Sequence, residues 1–211
     1  MDHRNELAKV GKVLFLGNSI TWHGPSKEVD WSGNWGMAAS ATANDYVHVL
    51  VRSLGELMGR EPEFRAHNIA DFERGYMTCD VEAFFKKPLA FQPDLVVVAI
   101  GENVPDFPDE PARAKFKDQM LRLLTLIKDH GRAILIVRSS FWPAAAKDEI
   151  LRQTCEAVGG IFVDIGCLSR NEANYARSER SYTHAGVAAH PGDRGMKAIA
   201  DELLTAIRNH T

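Results

Sequence analysis

The chain has 211 residues, 45% of them hydrophobic and 25% charged, with 25 Lys+Arg against 28 Asp+Glu and a net charge of -3. This composition excludes collagen-like, low-complexity and wholly disordered classes. The near balance of charge leaves no electrostatic footprint for nucleic acid or an anionic membrane surface.

In chain order, strand and helix patterns alternate. Residues 13–16 (VLFL) form a short apolar run closed by glycine, as a buried strand does. A helical spacing of apolar residues covers 44–59, with Asn44 or Asp45 as its start and Gly59 as its stop. Residues 63–69 read as a second strand. The run 95–100 (LVVVAI) is β-branched and uninterrupted, which suits a central parallel strand covered on both faces. An amphipathic helix follows over 111–129, then a strand over 133–137, a helix over 147–158, a fifth strand over 161–165 and a last helix over 195–207. The pattern is that of an α/β domain with a mainly parallel five-stranded sheet and helices on both faces. The length favours a single domain, 1–211. Two stretches break the rhythm: 22–43, rich in Gly, Ser and Trp, and 168–189, polar and irregular.

The N-terminal segment is polar, and the apolar run after it is too short for a secretory h-region. No stretch is long enough to span a bilayer. Cys79, Cys155 and Cys167 form no CxxC pair and read as free thiols. A cytoplasmic protein is expected. No Gly-x-Ser-x-Gly elbow, GxGxxG, Walker A or HExxH motif is present, so no cofactor or metal is expected.

Three short motifs carry chemistry. Gly17-Asn18-Ser19-Ile20-Thr21 follows the first strand, where a serine would face a ligand crevice; alone, it reads rather as an ordinary helix-capping turn. Gly101-Glu102-Asn103 follows the third strand, where an asparagine amide can donate to a developing oxyanion or simply make a turn. His190-Pro191-Gly192-Asp193 precedes the last helix, which suits a general base. His184, without the following proline, is the alternative base. Trp22, Trp31 and Trp35 share one loop with His23 and serve either as a stacking surface or as a cluster pinning the loop. Arg138 follows the fourth strand, at the surface or facing a substrate carboxylate.

Taken in this order, the three motifs resemble those of the SGNH (GDSL-like) hydrolase family, from Val13 to about Leu204. The resemblance implies a three-layer α/β/α flavodoxin-like fold and ester hydrolysis. It makes Ser19 the nucleophile, Asn103 an oxyanion donor and His190 the base. The glycine block of the family falls at Asn68-Ile69-Ala70-Asp71-Phe72, so the Ala70 backbone N–H becomes a further donor. Two positions depart from the family pattern. Val104 stands where aspartate follows the asparagine. Val187 stands where an aspartate three residues before the histidine would orient it. That leaves a backbone carbonyl near Val187, an acid from elsewhere (Asp164 or Asp193), or an unassisted Ser-His dyad. The expected activity is removal of short acyl groups, acetyl above all, from a small-molecule or carbohydrate ester. The alternatives are a lysophospholipase or thioesterase, and a catalytically silent carbohydrate-binding protein.

Overall fold

A computed structural model describes residues 7–131 and 133–210. Five strands, β1 (Lys12–Gly17), β2 (Glu63–Asn68), β3 (Leu95–Ala99), β4 (Ile134–Arg138) and β5 (Ile161–Val163), form one sheet of order β2-β1-β3-β4-β5. Every pairing is parallel, with Val13 opposite both Phe64 and Leu95. The helices are α1 (Tyr46–Met58), α2 (Ala70–Gly75), α3 (Val81–Leu89), α4 (Glu110–Asp129), α5 (Ala145–Ala157), α6 (Ala185–Ala188) and α7 (Asp193–His210).

The strand order dictates the layers. The step from β1 to β2 runs one way across the sheet, and all later steps run the other way. Right-handed crossovers therefore place α1 on one face and α2 to α5 on the opposite face. The packing agrees. Val13, Phe15, Val97 and Ile136 contact residues of α1 and α7, such as Leu50 and Leu203. Their strand neighbours Leu14, Leu16, Val96 and Val98 point the other way, into a second core with Phe72, Phe85, Phe116 and Leu151. Period-two alternation buried on both faces explains why these strands read as unbroken apolar runs.

The five strands and four long helices fall within a few residues of their expected bounds. Helices α2 and α3 were not expected. α3 is nine residues long and contains Lys86, Lys87 and Pro88, which dilute its apolar stripe. Its start is marked only by Asp80, whose carboxylate accepts the Ala83 N–H. The irregular stretch 168–189 is built of 3-10 turns and the single turn of α6. Among the described residues, no helix is long and apolar enough to cross a membrane.

Because β1 and β3 are neighbours while the chain winds outward from them in opposite directions, a crevice opens beyond their carboxyl ends. The loops after β1, β2 and β3 all reach that edge.

Candidate active site

The turn after β1 needs its glycine. A Cβ on Gly17 would lie 1.9 Å from the Thr21 hydroxyl, which tucks beneath it and meets the Tyr46 hydroxyl at 2.7 Å. The Thr21 and Trp22 N–H groups both donate to the Asn18 carbonyl, closing the turn that presents Ser19. The Ser19 backbone N–H makes no hydrogen bond among the described residues.

His190 comes from the opposite end of the chain. Its Nε2 lies 2.8 Å from Ser19 Oγ, and its Nδ1 lies 2.7 Å from the Gly186 carbonyl oxygen. A carbonyl only accepts, so Nδ1 carries the proton and Nε2 of the neutral ring accepts from the serine hydroxyl. The His190 carbonyl takes the Ala176 N–H, its N–H donates to the Val187 carbonyl, and the Trp142 ring meets the imidazole edge-to-face at 5.5 Å. Burial lowers the His190 pKa, with His23 and His184 adding to the effect against the Gly186 hydrogen bond and Glu102.

The Gly186 carbonyl thus stands where an orienting acid was sought. Val187 points away, 1% exposed, into a small cluster with Met37, Ala38 and Ala176. Neither acid weighed for the task bonds the imidazole. Asp164 accepts from the Ser139 hydroxyl and the Gly166 N–H. Asp193 accepts from the Ser40 N–H and hydroxyl and from Asn44 and Arg180. Burial raises the Asp193 pKa, but the Ser40 and Arg180 hydrogen bonds outweigh it and hold the carboxyl below its usual range. His184 caps α6 by accepting the Val187 N–H.

Ser19, Ala70 and Asn103 line one cleft of about 560 Å³, together with Trp22, His23 and Arg74. The Ala70 N–H, expected to be an open donor, is taken by the Asn68 side-chain oxygen at 3.0 Å. Asn103 Nδ2 donates to Glu73 Oε2 at 3.0 Å, and its Oδ1 accepts from Arg74 at 2.9 Å. The tryptophans divide their labour. Trp31 and Trp35 pin the loop, donating to the carbonyls of His23 and Ala39, whereas Trp22 is 37% exposed along the cleft.

Beneath the site lies a charged layer that sequence reasoning missed. Arg138, expected at the surface or facing substrate, is fully buried and pairs with Glu102 at 2.7 Å. Burial would raise the Glu102 pKa, but Arg138 overcomes it and holds the carboxyl low. Glu73 forms no ion pair among the described residues; burial and the nearby Glu102 push its pKa up. Asn18 Nδ2 donates to Glu102 at 2.7 Å and reaches Glu73 at 3.5 Å, tying the turn that presents Ser19 to both acids. The one available signal was Glu102 itself, a charged residue flanked by the buried strand and the site asparagine. Among the described residues, no group of three or more His, Cys, Asp or Glu side chains is placed to hold a metal.

Comparison with known proteins supplies the family. No curated relative matches the chain. Solved structures with the same fold include a lipase/acylhydrolase from Enterococcus faecalis (14% identity, 94% of this chain and 95% of that one, TM-score 0.62). They also include an acetyl xylan esterase from the rumen bacterium Butyrivibrio proteoclasticus (17% identity, 94% of this chain, TM-score 0.55). A family two carbohydrate esterase from Cellvibrio japonicus is similar as well (17% identity, 94% of this chain, TM-score 0.58). This chain spans 63% and 60% of the length of the last two. The GDSL-like Lipase/Acylhydrolase family pattern matches residues 15–198, a span that holds Ser19, Asn103 and His190. The chain therefore belongs to the GDSL-like Lipase/Acylhydrolase family, a family of carboxylic ester hydrolases.

Proposed function

We propose that the protein removes short acyl groups, acetyl above all, from a carbohydrate or a similar polyol, using Ser19 and His190. The observation that carries this reading is the 2.8 Å contact between Ser19 Oγ and an imidazole whose other nitrogen is already committed to the Gly186 carbonyl. Such a histidine holds the tautomer that a base needs.

In the first step Ser19 Oγ attacks the ester carbonyl carbon and its proton passes to His190 Nε2. The carbonyl oxygen becomes an oxyanion. The Ser19 N–H and one Asn103 Nδ2 hydrogen are its donors, each worth about 3 to 4 kcal/mol. The Ala70 N–H joins them by sharing or leaving Asn68. The imidazolium then protonates the departing alkoxide, giving the free alcohol and an acyl-serine. Water, deprotonated by the same nitrogen, releases the acid and restores the serine.

The acetyl-sugar reading draws on the cleft's lining, where the exposed Trp22 face lies among polar side chains. Its apolar residues, Trp22, Pro25, Val29, Met37 and the small Ala70, are too few to cover a long acyl chain, which weighs against a lysophospholipase. The acetyl xylan and carbohydrate esterases of like fold point the same way. The Gly186 carbonyl supplies the orientation whose absence favoured a silent binding protein. The unpaired Cys79, Cys155 and Cys167 suit a reducing cytoplasm.

Ser19→Ala should abolish hydrolysis of p-nitrophenyl acetate and labelling by a fluorophosphonate, with an unchanged circular-dichroism spectrum. An unaltered rate would remove Ser19 from the chemistry. Activity on acetylated xylo-oligosaccharides beside p-nitrophenyl esters of graded length tests the substrate.

A further inference from the structure

Asn103 sits in an unusual grip. Its side-chain oxygen accepts from Arg74 Nη2 at 2.9 Å, and its side-chain nitrogen donates to Glu73 Oε2 at 3.0 Å. Glu73 Oε1 also accepts the backbone N–H of Asn103 at 3.1 Å and that of Gly101 at 2.7 Å. One carboxylate thus holds the backbone turn and the side chain of the same residue. Gly101 adopts φ +129, and a Cβ there would lie 2.3 Å from the Ser140 hydroxyl, so the turn itself is fixed.

An arginine can only donate and a carboxylate only accepts, so the two ends of the Asn103 amide cannot be exchanged. One Nδ2 hydrogen goes to Glu73. The other is left over, on a residue that lines the cleft with Ser19. We propose that Glu73 and Arg74, adjacent on α2, are positioning residues that fix the Asn103 amide with one hydrogen directed at the oxyanion. The inference rests on the proposed esterase reading for its consequence in rate, but the grip itself can be tested without turnover.

The two residues differ in setting, which makes them separable. Glu73 is buried, whereas Arg74 is 60% exposed and also lies 3.9 Å from Asp71. Arg74→Met removes the donor without opening the core. Arg74→Lys keeps a donor of similar reach. Glu73→Gln is isosteric, yet its amide must present a hydrogen either to Asn103 Nδ2 or to the two backbone N–H groups. If Asn103 turned over to meet it, a donor would face Arg74.

The expected results are these. Arg74→Met lowers kcat on p-nitrophenyl acetate by about tenfold, less than the roughly 10²- to 10³-fold that loss of a whole donor brings, and leaves KM within twofold. Arg74→Lys recovers most of that loss, and Glu73→Gln falls at least as far as Arg74→Met. In an Asn103→Ala background, Arg74→Met has no further effect, because the residue acts through the amide. A change confined to KM, or full additivity with Asn103→Ala, would overturn the proposal. The second readout needs no substrate: the Asn103 side-chain amide proton that is bonded to Glu73, assigned by its loss in Asn103→Ala, should exchange slowly in the wild type and faster in Arg74→Met. Equal exchange in both proteins would also overturn it. A wild type without turnover and without fluorophosphonate labelling would instead sink the esterase reading and leave the exchange test standing.

Discussion

At the scale of single residues, His190 is the most instructive. A carbonyl dipole fixes its tautomer as an aspartate would, but carries less negative charge toward the imidazolium. Burial lowers the pKa from the ordinary histidine value of 6.5, so the neutral base persists further into acid. The kcat/KM profile on p-nitrophenyl acetate should therefore rise with pH through one ionisation whose midpoint lies below 6.5. A midpoint above 6.5 would mean that an anion supports the ring. Restoring an acid at the expected position should not help. Val187 faces Met37, Ala38 and Ala176 rather than the imidazole, so Val187→Asp places an unpaired carboxyl among apolar groups. We expect a loss of about 3 kcal/mol in urea denaturation and no gain in kcat. These residues also mark what a sequence displays and what it hides. Ser19, Asn103 and His190 lie in short motifs at element ends, where side-chain identity is the signal. The Gly186 carbonyl has no side-chain signature at all. Arg138 ends an apolar strand and looks like its solvated tip, because its partner Glu102 is 36 positions away.

At the scale of elements, α7 begins just after His190, the proposed base. The Glu179 carboxylate accepts the N–H groups of Asp193 and Arg194, the opening residues of that helix. This satisfies two of the donors that a helix start leaves open, and places negative charge at the positive end of the dipole. Gly192 leaves room for this contact, since a Cβ there would lie 2.6 Å from the Glu179 carboxyl. Glu179→Ala should lower stability by about 1 kcal/mol, read as a shift of the urea midpoint at constant slope. The long helices were legible because three or four turns repeat an apolar stripe. α2 is too short to repeat one, yet it carries both Glu73 and Arg74. The cap of α7 was invisible for another reason: Glu179 lies in an irregular stretch, and only the folded chain brings it to the helix.

At the scale of the whole molecule, two carboxyl groups and one guanidinium lie under the crevice edge. The Glu102 side chain is 4% exposed and that of Arg138 is 0% exposed. Removing one member of such a pair leaves a buried charge without its partner, whereas removing both is far milder. Arg138→Met should therefore destabilise the protein by roughly 3–5 kcal/mol, and Glu102→Gln added to it should recover part of the loss, both measured by urea denaturation. The layered α/β architecture was readable because strands buried on both faces alternate with helices. The charged stratum was not, because its members come from separate elements. The contact between Ser19 and His190 spans 171 positions along the chain. No contiguous fragment that omits either Ser19 or His190 can then hold the proposed centre, however well its core collapses. On the proposed chemistry, esterase activity should return after denaturation only once these two distant segments have met.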